Sequence, residues 1–121
     1  MSRTILTVDD SRTMRDMLRL ALVKAGFDVV EAVDGLHGLE VLGGIDPDVI
    51  ITDINMPKLD GFGFIERVRE DGAYRATPIL VLTTESDSAK KNRAREAGAT
   101  GWIVKPFNPE KLVEAVRRVA A

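Results

Sequence analysis

Five short apolar runs alternate with longer segments of helical periodicity, and this alternation restricts the fold more than any other feature of the chain. The runs are Thr4–Val8, Phe27–Ala32, Val49–Thr52, Ile79–Thr83 and Gly101–Lys105. They have strand length, and helical patterns separate them. Arg12–Ala25 sets Met14, Met17, Leu18 and Ala21 on one helical face, and Gly26 stops it. Asp34 caps a helix through Leu42, which Gly43 and Gly44 end. Phe62–Val68 and Ser88–Ala97 follow the same logic. The second of these has only alanines on its apolar side and is expected to be the least firmly packed helix. Asn108, Pro109 and Glu110 open the last helix with a cap, a proline at the first position and an acid in the first turn. Arg117 and Arg118 suit its other end. Strand–helix units repeated five times predict a parallel sheet with helices on both faces. The more polar Phe27–Ala32 belongs near an edge, and the wholly apolar Val49–Thr52 belongs under cover on both faces.

In such sheets the ligand site lies beyond the carboxyl ends of the strands. The first run ends in Asp9-Asp10, the third in Asp53, the fourth in Thr83-Thr84 and the fifth in Lys105-Pro106. Three acids, two hydroxyls and a base are thus expected on one rim. Two carboxylates about 4 Å apart repel by roughly 4 kcal/mol at an effective dielectric near 20. A cluster of this kind keeps a proton or takes a cation. Taken singly, each residue has a plainer reading. An aspartate after a strand caps or turns, a lysine reaches solvent, and a threonine caps a loop. Taken together, a divalent cation, an ammonium and a hydroxyl around a carboxylate form a phosphoryl-transfer site, with the carboxylate as nucleophile.

Composition narrows the chemistry. The 121 residues make one domain, and a net charge of −2 gives no general drive toward nucleic acid or an anionic membrane. There is no cysteine and His37 is the only histidine, which excludes thiolate and multi-histidine metal sites. A bound metal would be a hard cation on oxygen ligands, and Mg²⁺ suits them. No signal peptide and no membrane-length apolar segment is evident, so a cytoplasmic location is expected. Charge is uneven: residues 86–121 carry eight Lys/Arg against four Asp/Glu, while the rest of the chain is acidic.

The segments VDD (Val8–Asp10), TDINMPKLDG (Thr52–Gly61), LTT (Leu82–Thr84) and VKPF (Val104–Phe107) resemble, in this order and spacing, the receiver domain of bacterial two-component response regulators. TVDDSRTMR and DINMPKLDG are especially similar to the single-domain chemotaxis members of the CheY type. The resemblance spans essentially the whole chain. It implies a single receiver domain over residues 1–121 without an output domain, of the flavodoxin-like (βα)5 fold with strand order 2-1-3-4-5. It also implies roles. Asp53 would accept a phosphoryl group from a histidine kinase of the CheA type. Asp10, Asp53 and the backbone carbonyl of Asn55 would bind Mg²⁺, with Asp9 helping through water. Thr83 and Lys105 would bind phosphoryl oxygens, across a cis Lys105–Pro106 bond. Asn55 and Glu85 would tune self-dephosphorylation. The switch aromatic, commonly Tyr or Phe, is here Trp102. Two readings of it stand: a partly buried anchor, or a side chain that turns inward when Thr83 moves.

The implied function is a phosphorylation-activated switch, a monomer that catalyses only its own phosphotransfer and dephosphorylation. Its output face would be the fourth helix, fifth strand and fifth helix, and its target the flagellar motor switch. A phosphate sink or a regulator of a non-motor partner shares that chemistry. A small Mg²⁺-dependent phosphatase would usually carry a second acid where Asn55 stands. A flavin module would want hydroxyls and glycines where Asp9-Asp10 stand. Smaller features take plain readings. Asp34, Asp46, Asp48 and Asp60 cap or turn, Met14 and Met17 belong to the core, His37 lies on the surface, and Lys90–Gly98 is a solvated helix face.

Overall fold

The computed structural model describes residues 3–120, and among these five strands and five α-helices alternate. The strands are β1 (Thr4–Val8), β2 (Asp28–Ala32), β3 (Val49–Thr52), β4 (Ile79–Thr83) and β5 (Gly101–Val104). The helices are α1 (Arg12–Lys24), α2 (Gly35–Leu42), α3 (Gly61–Glu70), α4 (Ser88–Ala97) and α5 (Pro109–Ala120), with a short 3₁₀ turn at Gly72–Tyr74. All pairings are parallel and the order is β2-β1-β3-β4-β5. The expected fold class and strand order are therefore observed, with the polar β2 at an edge.

Successive strand residues point to opposite faces and build two cores. Leu6, Val8, Ile50, Ile79 and Val81 meet Phe62, Phe64, Ile65 and Val68 of α3 on one face. Ile5, Val49, Ile51, Leu80 and Leu82 meet Leu18 and Leu22 of α1 and Leu112 and Val116 of α5 on the other. Asp34 and Asn108 cap their helices as expected, Asp60 does what a cap-or-turn residue was expected to do, and Asp87, not singled out from the sequence, caps α4. Asp34 accepts from the His37 N–H, Asp60 from Gly63, Asp87 from Ala89 and Asn108 from Lys111.

One helical face differs from expectation. The inward stripe of α1 runs Met14, Leu18, Leu22, whereas Met17 is 45% exposed beside the exposed Leu20 and Val23. Apolar residues surround most of this helix, so periodicity alone selects its buried side poorly. His37 is also more than a surface residue. It is half-buried, and its Nδ1 accepts the Val33 N–H at 3.0 Å. The fifth strand ends one residue earlier than expected, at Val104, although the Lys105 N–H still continues the ladder to the Thr83 carbonyl at 2.8 Å; the Lys105–Pro106 peptide bond is cis.

Candidate functional site

Register brings the acids together. Val8 pairs with Thr52 across β1 and β3, so the next residues, Asp9 and Asp53, emerge side by side. The Asp53 N–H continues the ladder to the Val8 carbonyl at 3.0 Å. Thr83 pairs with Val104, which delivers Lys105 to the same rim from the far side of β4. Lys105 Nζ lies 2.9 Å from Asp9 Oδ2 and 2.8 Å from Asp53 Oδ2. Carboxylate oxygens of Asp9, Asp10 and Asp53 all lie within 4.8 Å of one another. Asp9 and Asp53 are buried and Asp10 is exposed.

Each buried acid has its second oxygen occupied. Asp9 Oδ1 accepts the Ser11 N–H at 2.9 Å, and Asp53 Oδ1 accepts the Ile54 N–H at 2.6 Å. Burial nevertheless dominates at Asp9 and raises its carboxyl above the usual carboxylate value, against the bonds from Ser11 and Lys105. For Lys105 burial acts downward, but the bonds to Asp53 and Asp9 outweigh it and the ammonium is held above its ordinary value. The start of α3 is pressed against this floor. A Cβ on Gly61 would sit 2.2 Å from the Asp53 carbonyl oxygen, so only glycine lets the helix begin there.

A model of the response regulator receiver domain matches residues 5–117. The chain belongs to this family. It is 40% identical to the chemotaxis protein CheY1 of Helicobacter pylori over 117 residues, 95% of this chain and 94% of that one. It is 38% identical to the sensor histidine kinase CheAY of the same organism over 116 residues, 94% of this chain but 14% of the kinase. The chemotaxis response regulator CheY4 of Vibrio cholerae superposes with a TM-score of 0.93 at 45% identity, over 98% of this chain and 99% of that one. This is a receiver domain of the CheY type.

The receiver's β4–α4 loop centres on Glu85. Its Oε1 accepts Asn55 Nδ2 at 3.1 Å and pairs with Lys90 Nζ at 3.0 Å. These two bonds hold its carboxyl below the usual value, Lys90 contributing most. The Glu85 carbonyl accepts the Trp102 indole N–H at 3.0 Å. Thr83 is fully buried, and its hydroxyl accepts the Glu85 N–H only at a long 3.4 Å. Trp102 is half-buried in this structure. The indole N–H supplies the donor that binds the loop.

The structure thus brings Asp9, Asp10, Asp53 and Lys105 into one cluster. Asn55, Glu85 and Trp102 form a second, linked group beside Thr83. Two members were not singled out from the sequence. Lys90 lies in a run read as a solvated helix face where an acidic partner segment could dock. Arg15 sends its Nη1 to the Asp9 carbonyl at 2.7 Å. Its placement in the first turn after the acid pair is the only sequence signal for that contact.

Proposed function

We propose that this receiver domain is a phosphorylation-controlled switch of a chemotaxis-type two-component pathway, with Asp53 as phosphoacceptor. The observation that carries the reading is one ammonium, Lys105, shared by two acids of a three-acid cluster. With all four groups ionised the cluster keeps excess negative charge, which favours uptake of a divalent cation. Its donors are all oxygens and it is open on the Asp10 side, so water can complete the shell, which fits Mg²⁺. Asp10, Asp53 and the Asn55 carbonyl would hold the ion, with Asp9 acting through water. When bound, the ion offsets charge on the phosphoryl oxygens.

An Asp53 carboxylate oxygen attacks the phosphorus of a phosphohistidine. The P–O bond forms as the P–N bond breaks, and the imidazole leaves with the electron pair. Lys105 already reaches the Asp53 carboxylate and follows the incoming phosphoryl oxygens as a point charge. Thr83 supplies the second donor. Its bond to Glu85 is long and weak, so its reorientation costs little. Movement there passes through Glu85 to Trp102 and Lys90, and so to α4 and β5. Asn55 and Glu85 stand where they would tune hydrolysis of the acyl phosphate. Phosphate on Asp53 then favours one of two conformations.

The donor in this reading is a histidine kinase of the CheA type, and the reader is the flagellar motor switch or another target on the α4–β5–α5 face. Lys91, Arg95 and Trp102 line a recess of about 270 Å³ there, which suits an acidic partner segment. The domain turns over no external metabolite and acts as a cytoplasmic monomer. Among the described residues no helix is long and apolar enough to cross a membrane. Asp53→Asn should abolish labelling by acetyl phosphate, and full labelling of that variant would refute the assignment. Beryllofluoride should alter the fluorescence of Trp102, the only tryptophan in the chain. A pull-down with and without beryllofluoride then identifies the reader.

A further inference from the structure

Asp9 is tied at every polar atom. Its N–H donates to the Ala32 carbonyl at 3.1 Å, and its carboxylate takes Ser11 and Lys105. Its carbonyl accepts Arg15 Nη1 at 2.7 Å. That guanidinium is itself fixed from the edge strand. Arg15 Nε lies 3.3 Å from Glu31 Oε1 on β2, and the Arg15 side chain is only 14% exposed. Glu31 also receives Arg19 at 2.6 Å, and Arg19 pairs with Asp16 at 2.9 Å. Two cations and two anions balance, so the clasp brings a directed hydrogen bond to the rim with little net charge.

The carbonyl held by Arg15 belongs to the peptide that joins Asp9 to Asp10. A peptide unit is planar, so fixing the direction of its carbonyl fixes the plane from which Asp10 departs. Asp10 is exposed, so backbone rather than packing sets where its carboxylate points. Groups behind the ligands of a metal commonly set their direction, and their loss lowers affinity by about 10- to 100-fold.

We infer that Arg15, backed by Glu31, is a positioning residue for Mg²⁺: it orients the Asp9–Asp10 peptide so that Asp10 converges with Asp9 and Asp53 on one ion. The inference rests on the reading of the acidic trio as a Mg²⁺ site. Electrostatics alone would give Arg15 the opposite effect. A cation beside three acids repels Mg²⁺, so removing it, while Glu31 keeps Arg19, would tighten binding.

The test is a MgCl₂ titration of the unphosphorylated protein by calorimetry and by the Asp10 and Asp53 amide signals. Arg15→Met, which removes the charge but keeps the length, should weaken Mg²⁺ by about 10-fold. Arg15→Lys keeps the charge but has one branch for two acceptors, and should fall between. Melting temperatures of the metal-free variants separate this from a structural role, which would lower stability without changing the affinity of the folded protein. Unchanged or tighter binding by Arg15→Met overturns the inference. If that variant does not fold, unchanged binding by Arg15→Lys does so. Absence of Mg²⁺ binding by the unaltered protein would instead overturn the metal site itself.

Discussion

Helices α5 and α4 flank the same edge strand, yet they are attached by different physics. From α5, Leu112 and Val116 are buried in the core with Ile5, Leu80 and Leu82. From α4, only Ala94 is buried. What holds α4 is a set of polar contacts along its length. Lys90 reaches Glu85, Arg93 lies 4.1 Å above the centre of the Phe62 ring, and Arg69 from α3 grips the Gly98 carbonyl with Nε at 3.0 Å and Nη2 at 2.8 Å. Apolar burial is non-directional and is lost only when the core opens. Directional contacts can be released one at a time, each at a modest cost. Within the proposed output surface, α4 is thus held by the kind of contact found at the low-stability end of a structure.

The largest expected difference comes from the apolar side. Leu112→Ala should destabilise the whole domain by about 3 kcal/mol, as deletion of a fully buried leucine does. The urea midpoint should fall while the transition remains single. A loss below about 1 kcal/mol would mean that α5 is not anchored by its core residues, and the contrast with α4 would collapse.

Arg69→Ala should act next, and locally. Besides Gly98, this guanidinium donates to the Tyr74 and Thr77 carbonyls at 2.7 Å each, and burial lowers its affinity for the proton. Its loss strips several carbonyls of a charged donor and should cost about 2 kcal/mol. Hydrogen exchange should rise first at the C-terminal end of α4 and around the 3₁₀ turn. A uniform rise across the sheet would instead make Arg69 part of the common core.

That pair of outcomes bears on what was legible from residues alone. Strand and helix order were, because apolar periodicity is local. The cluster of Asp9, Asp10, Asp53 and Lys105 was legible because the rule for parallel sheets gathers strand ends at one rim. The weak packing of α4 was legible from its alanines. Arg69 and Arg15 were not. Both bind backbone carbonyls, and carbonyls are present at every position, so no sequence pattern marks them as partners. The buried face of α1 was misjudged at Met17 for a different reason: Leu20 and Val23 are apolar and exposed too.

Trp102→Phe should cost about 1 kcal/mol, the scale of one neutral hydrogen bond, since phenylalanine keeps the aromatic bulk but has no donor for the Glu85 carbonyl. Exchange should rise at the Glu85–Lys90 amides. Equal protection in both proteins would show that the loop is held by Lys90 and Asn55 without the indole.

The smallest effect is the pH response of the same loop, and its sign follows from Glu85. Its folded carboxyl lies below the ordinary value of 4.5 because Lys90 and Asn55 bind the charged form. Such a group stabilises the folded loop fully above the unfolded value, and that contribution is lost as pH falls through the lower folded value. Amides at the start of α4 should therefore lose protection on acidification below the ordinary carboxylate range. Asp9 works the other way. Its folded carboxyl is raised above 3.8 by burial, so its contribution is present in acid and lost as pH rises through the folded value. The two partly offset in global stability, so the measurement must be local, residue by residue. Salt should weaken the response, because Glu85 and Lys90 are partly solvated. Glu85→Gln should flatten it. A Glu85→Gln protein with an unchanged acid profile would transfer the effect to another carboxylate and leave α4 without an acid-sensitive contact.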